Sequence, residues 1–259
     1  MDLRLPDSKA LQLGTSQDVQ MEWDTAKLTL GPSAAGLWTN CPLTQWAQGQ
    51  AYAYELFDDF WMLDTTATVG GWVKESVAAE TAAVNDAIGG TALLTNAGTT
   101  DNSGCQIRSV SKGFYLAAAK HLWFEARVKC AAGATEVDVA MGLSAGENLT
   151  AVADNMAADG IVIHKDDGAT VLKLTASKAG TNTGANADIG TMTTGWHTYG
   201  FYVNGVTNIT PYFDGTADDA ITATIPDAVL LSPFFMVRNG DATTTQTLEI
   251  DYVKVVQLR

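Results

Sequence analysis

The 259-residue chain is long enough to bury roughly 70–75% of its unfolded surface and needs no disulfide or metal staple to hold a core. Charged residues are sparse at 17% while Gly, Ala and Thr are abundant, which favours turns and short strands over long helices. A formal net charge of -14 excludes a phosphate-tracking surface, because nucleic-acid binding draws its affinity from clustered Lys and Arg; no nucleic-acid partner is expected.

The start, MDLRLPDSKALQ, lacks the basic and apolar regions of a secretion signal, and no apolar run approaches the ~18 residues of a membrane span. Assembly in the cytoplasm, with no membrane partner, is the expectation. Residues 1–30 then read as short strands. Val19, Met21 and Trp23 alternate with Gln20 and Glu22, and Leu28 and Leu30 follow a short loop. So thin a strip, with Leu11 and Leu13 added, has one apolar face and nothing of its own to cover it. Residues 31–50 form a Gly-, Pro- and Gln-rich connector whose Trp38 and Trp46 need something to pack against. We assign residues 1–50 to docking or oligomerisation, with Leu11, Leu13, Val19, Met21, Trp23, Leu28, Leu30, Trp38 and Trp46 as the candidate interface, and residues 51–259 to the main domain.

That domain opens with ELFDDFWML and a Gly-Gly-Trp turn at 70–72. Residues 77–90 read as strand plus loop, 89–95 and 106–110 as strands. From Trp123 to Cys130 the apolar positions Phe124, Ala126, Val128 and Cys130 alternate with Glu125, Arg127 and Lys129, the period of a strand with one buried face. After a turn-like CAAGAT, Val137, Val139, Met141 and Leu143 take the apolar side, and Glu136 and Asp138 share the polar one. We read the two runs as a strand pair, with the carboxylates facing Arg127 or Lys129 across it. Residues 146–160 suit a short helix or a long loop. Beyond them come hairpins with turns at Asp167-Gly168, Asn204-Gly205 and Asp214-Gly215, and three closing strands. The sum is all-β, an antiparallel sandwich.

Residues 55–259 resemble the concanavalin-like jelly roll of legume lectins, laminin-G-type modules and laminarinase-like glycoside hydrolases, through FEARVK (124–129), GWHTYGFYVNG and YFDG (195–215) and LEIDYVKVVQ (248–257). The N-terminal pattern is similar to a short β-motif at the front of many tailed-phage virion proteins. Laminarinase-like enzymes carry a Glu-x-Asp-x-x-Glu strand, so the resemblance makes Glu136, Asp138 and Met141 a degenerate hydrolase cluster. A thioether stands where the acid/base carboxyl would, and it cannot protonate a leaving oxygen. No enzyme is therefore expected.

Elsewhere, His121, His164 and His197 are scattered, and the three cysteines have no ligand rhythm, so no cofactor or metal is expected. Trp61, Trp72, Trp123 and Trp196 lie beside strand runs where packing is the expectation. The resemblance implies a phage virion component, a capsid decoration protein bound as a homo-oligomer, a trimer foremost, to the major capsid protein or other virion subunits. The alternatives are a carbohydrate-binding fibre or adhesin module with a glycan partner and, last, a laminarinase-like hydrolase.

Overall fold

The computed structural model describes residues 10–13, 19–24, 27–31, 37–38, 53–66, 71–76, 80–85, 89–96, 101–130, 137–146, 159–182, 187–240 and 245–259. Every regular element among them is a strand, as expected of an all-β chain. β1 (Ala10–Leu13), β2 (Val19–Asp24) and β3 (Lys27–Gly31) form an antiparallel sheet of their own. Its register sets Leu11 opposite Met21 and Met21 opposite Leu30, Leu13 opposite Val19, and Trp23 opposite Leu28. Trp46 and Cys41 lie outside the described residues, as do residues 147–158 of the helix-or-loop segment.

The remaining strands are β4 (Ala53–Asp58), β5 (Trp72–Ser76), β6 (Thr81–Asn85), β7 (Thr91–Thr95), β8 (Gly104–Ser109), β9 (Phe114–Tyr115), β10 (Leu122–Cys130), β11 (Val137–Ser144), β12 (Gly160–Lys165) and β13 (Val171–Lys178). They continue through β14 (Thr181–Asn182), β15 (Ala187–Thr191), β16 (His197–Asn204), β17 (Asn208–Phe213), β18 (Thr216–Ala217), β19 (Leu230–Asn239) and β20 (Thr247–Leu258). Two antiparallel sheets result. Sheet I runs β18-β17-β16-β10-β20-β7-β6, with β4 also paired to β20. Sheet II runs β14-β13-β12-β11-β19-β8-β5, with β15 on β13 and β9 on β19.

The core lies between the sheets and is built by the alternation that each strand's sequence carries. Phe124, Ala126 and Val128 of β10 meet Tyr199, Phe201 and Val203 of β16 from one sheet, and Val139, Met141, Ile161, Ile163, Phe235 and Val237 come from the other. Phe124 and Phe201, cross-strand partners, stack with centroids 4.8 Å apart. Each ring is fully buried, a contribution of about 1.5–3 kcal/mol relative to exposure.

β10 and β11 are not a strand pair. β10 lies between β16 and β20 in sheet I, whereas β11 lies between β12 and β19 in sheet II. Period-two alternation reads the same whether two strands are bonded edge to edge or face each other across a core, so the pattern alone could not separate the cases. Sheet II is also covered on the side away from the core. There Ala140, Val162, Phe234 and Met236 form a second buried apolar cluster, which is why β11 is buried at every position.

The connector residues Leu37 and Trp38 lie on the outer face of sheet I. Leu37 packs with Ala53, Trp123 and Val256, and sits so close over Gly200 that a Cβ there would come within 2.4 Å of its Cδ2. The indole N–H of Trp38 donates to Glu125 Oε2 at 2.7 Å, and Lys254 Nζ stands 4.8 Å over its ring. Trp38 thus packs on its own chain.

Candidate functional site

Asp138 and Met141 of the hydrolase-like phrase point to opposite sides of sheet II. The ladders of β11 to β12 and to β19 run without a register shift, so residues three apart alternate faces. Met141 is therefore core, and Glu136 lies outside the described residues. Asp138, 2% exposed, accepts the Asp167 N–H at 2.7 Å and the Arg238 Nε–H at 2.8 Å. Burial raises its pKa above the usual carboxylate value, although both hydrogen bonds and the Arg238 charge pull the other way. Arg127 and Lys129, its expected partners, bind Asp251 at 2.5 Å and Glu249 at 2.6 Å within sheet I.

Two other places carry chemistry. The first is the bend after β4. Phe60 has φ of 53° yet is fully buried, its ring 5.3 Å from Trp72 and 6.4 Å from Phe235. A bulky residue in the left-handed region is strained and persists only where its surroundings over-determine it. Here Asp58 does so: its Oδ1 accepts the Phe60 N–H and its Oδ2 the Trp72 indole N–H. Gly90 closes the other side, where a Cβ would meet Phe60 O at 2.9 Å. With Phe60 pinned inward, Trp61 and Met62 project into solvent, 69% and 84% exposed. The Trp61 indole is held by Asp59, whose Oδ2 accepts its N–H at 2.7 Å. Trp72 and Trp123 are buried, and Trp196 is half-buried with Arg127 and Lys129 each 4.9 Å from its centroid. Packing accounts for those three indoles and fails for Trp61.

The second place is the start of the β16–β17 hairpin. His197 Nδ1 lies 2.8 Å from Asp214 Oδ2, and its Nε2 lies 2.8 Å from Thr193 Oγ1. Asp214 Oδ1 accepts the Thr198 N–H, and the Asp214 N–H donates to Thr198 O, each at 2.8 Å. The Gly195 N–H donates to Thr193 Oγ1 at 3.1 Å. The Phe213 ring, 5.0 Å from the imidazole, fixes its plane. Sequence reading missed this cluster, yet the hairpin held the signal. With Asn204 opposite Asn208, counting back along both strands sets His197 opposite Gly215, next to Asp214.

His121 Nδ1 is 2.5 Å from the Tyr202 hydroxyl, and His164 Nε2 is 2.9 Å from Thr175 Oγ1. Cys105 and Cys130 are buried, and burial pushes the Cys105 thiol up to about 12. Among the described residues no three His, Cys, Asp or Glu side chains are grouped to hold a metal ion.

No family model and no curated protein matches the chain. Solved structures do. A β-1,3-1,4-glucanase (lichenase) from a mouse hindgut metagenome superposes with TM-score 0.54 at 15% identity, covering 78% of this chain and 98% of its own. The β-glucanase of Bacillus licheniformis gives 0.54 at 16%, with 78% and 97% covered. The endo-1,3-β-glucanase of Streptomyces sioyaensis gives 0.55 at 17%, with 80% and 96% covered. At these identities the likeness is one of fold, and the concanavalin-like jelly roll of the glucanases is the fold of this chain. The expectation that the chain is no enzyme is corrected here. Its sandwich is one on which glycoside hydrolases are built, and an incomplete carboxylate motif on one strand does not bear on the rest of its surface.

Proposed function

We propose that the chain is a glycan-recognising protein of a tailed-phage virion surface, in which the jelly roll binds carbohydrate and the N-terminal sheet attaches to the particle. The observation that carries glycan recognition is the bend at 58–62, a strained and buttressed loop that holds one indole in water beside carboxylates. An indole face stacks on the C–H face of a pyranose, and carboxylate oxygens accept its hydroxyls. The glucanases of the same fold act on β-glucans, and a neutral polysaccharide suits a chain of charge -14, which repels anionic ones.

The attachment half rests on the similarity of the N-terminal pattern to virion proteins, and the separate β1–β3 sheet supports it. Its partners on this reading are the major capsid protein or other virion subunits, with the chain itself a homo-oligomer, a trimer foremost. Titration of the full chain with β-gluco-oligosaccharides tests the first half. Trp61→Ala should weaken binding at least ~10-fold with the melting curve unchanged, the loss of about 1.4 kcal/mol. Equal affinity in that variant would remove Trp61 and the reading built on it.

A further inference from the structure

We propose that Thr193, His197 and Asp214 form an acyl-transfer site that hydrolyses short-chain carboxylic esters through an acyl-Thr193 intermediate. The proposal is independent of the glycan reading. It rests on the order of contacts: carboxylate to Nδ1 and hydroxyl to Nε2, both at 2.8 Å. That is the order in which a nucleophile, a base and an orienting group must stand, and it is recognised by geometry on unrelated folds. Asp214 accepting from Nδ1–H fixes the tautomer with a free lone pair on Nε2, and Thr193 Oγ1–H points its proton at that lone pair.

Two segments meet to make the chain of bonds: the continuous stretch from Thr193 to His197 that leads into β16, and the turn after β17 that carries Asp214. Stability does not account for the outer member. Thr193, Thr194 and Gly195 are exposed, and a surface hydroxyl gains little from an imidazole that the Asp214 carboxylate and the Phe213 ring already hold. The Gly195 N–H donates to Oγ1 in an ST-turn, which fixes the position of the hydroxyl.

In the reaction Thr193 Oγ1 attacks the ester carbonyl carbon while its proton passes to His197 Nε2. The tetrahedral adduct collapses, the C–O bond to the alcohol breaks, and the leaving oxygen takes the proton from Nε2. Water, deprotonated by the same nitrogen, then attacks the acyl-threonine and releases the carboxylic acid, restoring the hydroxyl. No oxidant or metal is required. Thr193, Thr194 and Gly195 are exposed, and the substrate class we assign to them is a short acyl ester, an acetyl ester first.

The test uses the full chain with p-nitrophenyl acetate, following p-nitrophenolate release and mapping acylated peptides by mass spectrometry. Wild type should turn over and carry an acetyl group on Thr193 when quenched early. Thr193→Val should lower kcat/KM by at least ~100-fold, Asp214→Asn by a similar factor, and Thr193→Ser should retain activity within ~10-fold. Each site is on the surface, and unchanged melting midpoints confirm folding. Equal rates in Thr193→Val and wild type, or acetyl found only on lysines, would overturn the proposal, as would the absence of turnover in wild type.

Discussion

Asp138 shows how far one residue's surroundings depart from its sequence context. Its partner Arg238 lies 100 positions away on β19. Because burial raises its pKa in the folded state, the unfolded chain ionises first as pH climbs. Stability therefore falls through the window between the ordinary Asp value and the raised one, and the cost is complete above it. In Asp138→Asn that dependence should vanish. The stability of wild type relative to the variant, from urea unfolding at a series of pH values, should decline through the acid range and then level off; a difference flat throughout would show that the carboxylate is not shifted. Neither Asp138–Arg238 nor Asp58–Trp72 was legible, since nothing local marks which distant strand comes alongside. His197–Asp214 was within reach, because a tight hairpin fixes its own register.

At the scale of elements, the strands and their buried faces were legible in β10 and β16, where alternation and turn residues agree; in β20 the alternation slips at Asp251 and Tyr252, where the pairing with β10 shifts register. Which strands are neighbours was not, and β10 with β11 is the instance: consecutive in the chain, they lie in different sheets. Glycine is decisive at one place on β11. Gly142 has φ of 146°, and a Cβ would lie 2.2 Å from Ile161 O on the neighbouring strand. Gly142→Ala should lower stability by about 3 kcal/mol, read as a fall in the urea midpoint at constant slope. An unchanged midpoint would mean that β11 and β12 are less closely apposed than the structure has them.

For the whole molecule, the division of labour between the N-terminal sheet and the sandwich can be tested by truncation. The cut belongs after Gly31 and before Leu37, because Leu37 and Trp38 cover the outer face of sheet I. A chain lacking residues 1–31 should melt as one unit near the wild-type temperature and fail to sediment with particles. Attachment as strong as wild type would remove the N-terminal sheet from that role.

β20 pairs with β10 along most of its length on one edge, and on the other with β7 at residues 247–250 and with β4, near the beginning of the sandwich, at residues 253–258. On the ribosome, then, sheet I has no centre until Thr247–Leu258 has left the exit tunnel. Until then β4, and the edges of β7 and β10 that face β20, wait with their ladder groups unpaired, open to pairing with the same strands of neighbouring nascent chains. Yield in a recombinant host should depend more on holding that unfinished sheet apart from others than on the stability of the finished fold, and a frameshift upstream of β20 would leave a chain with nothing to close it.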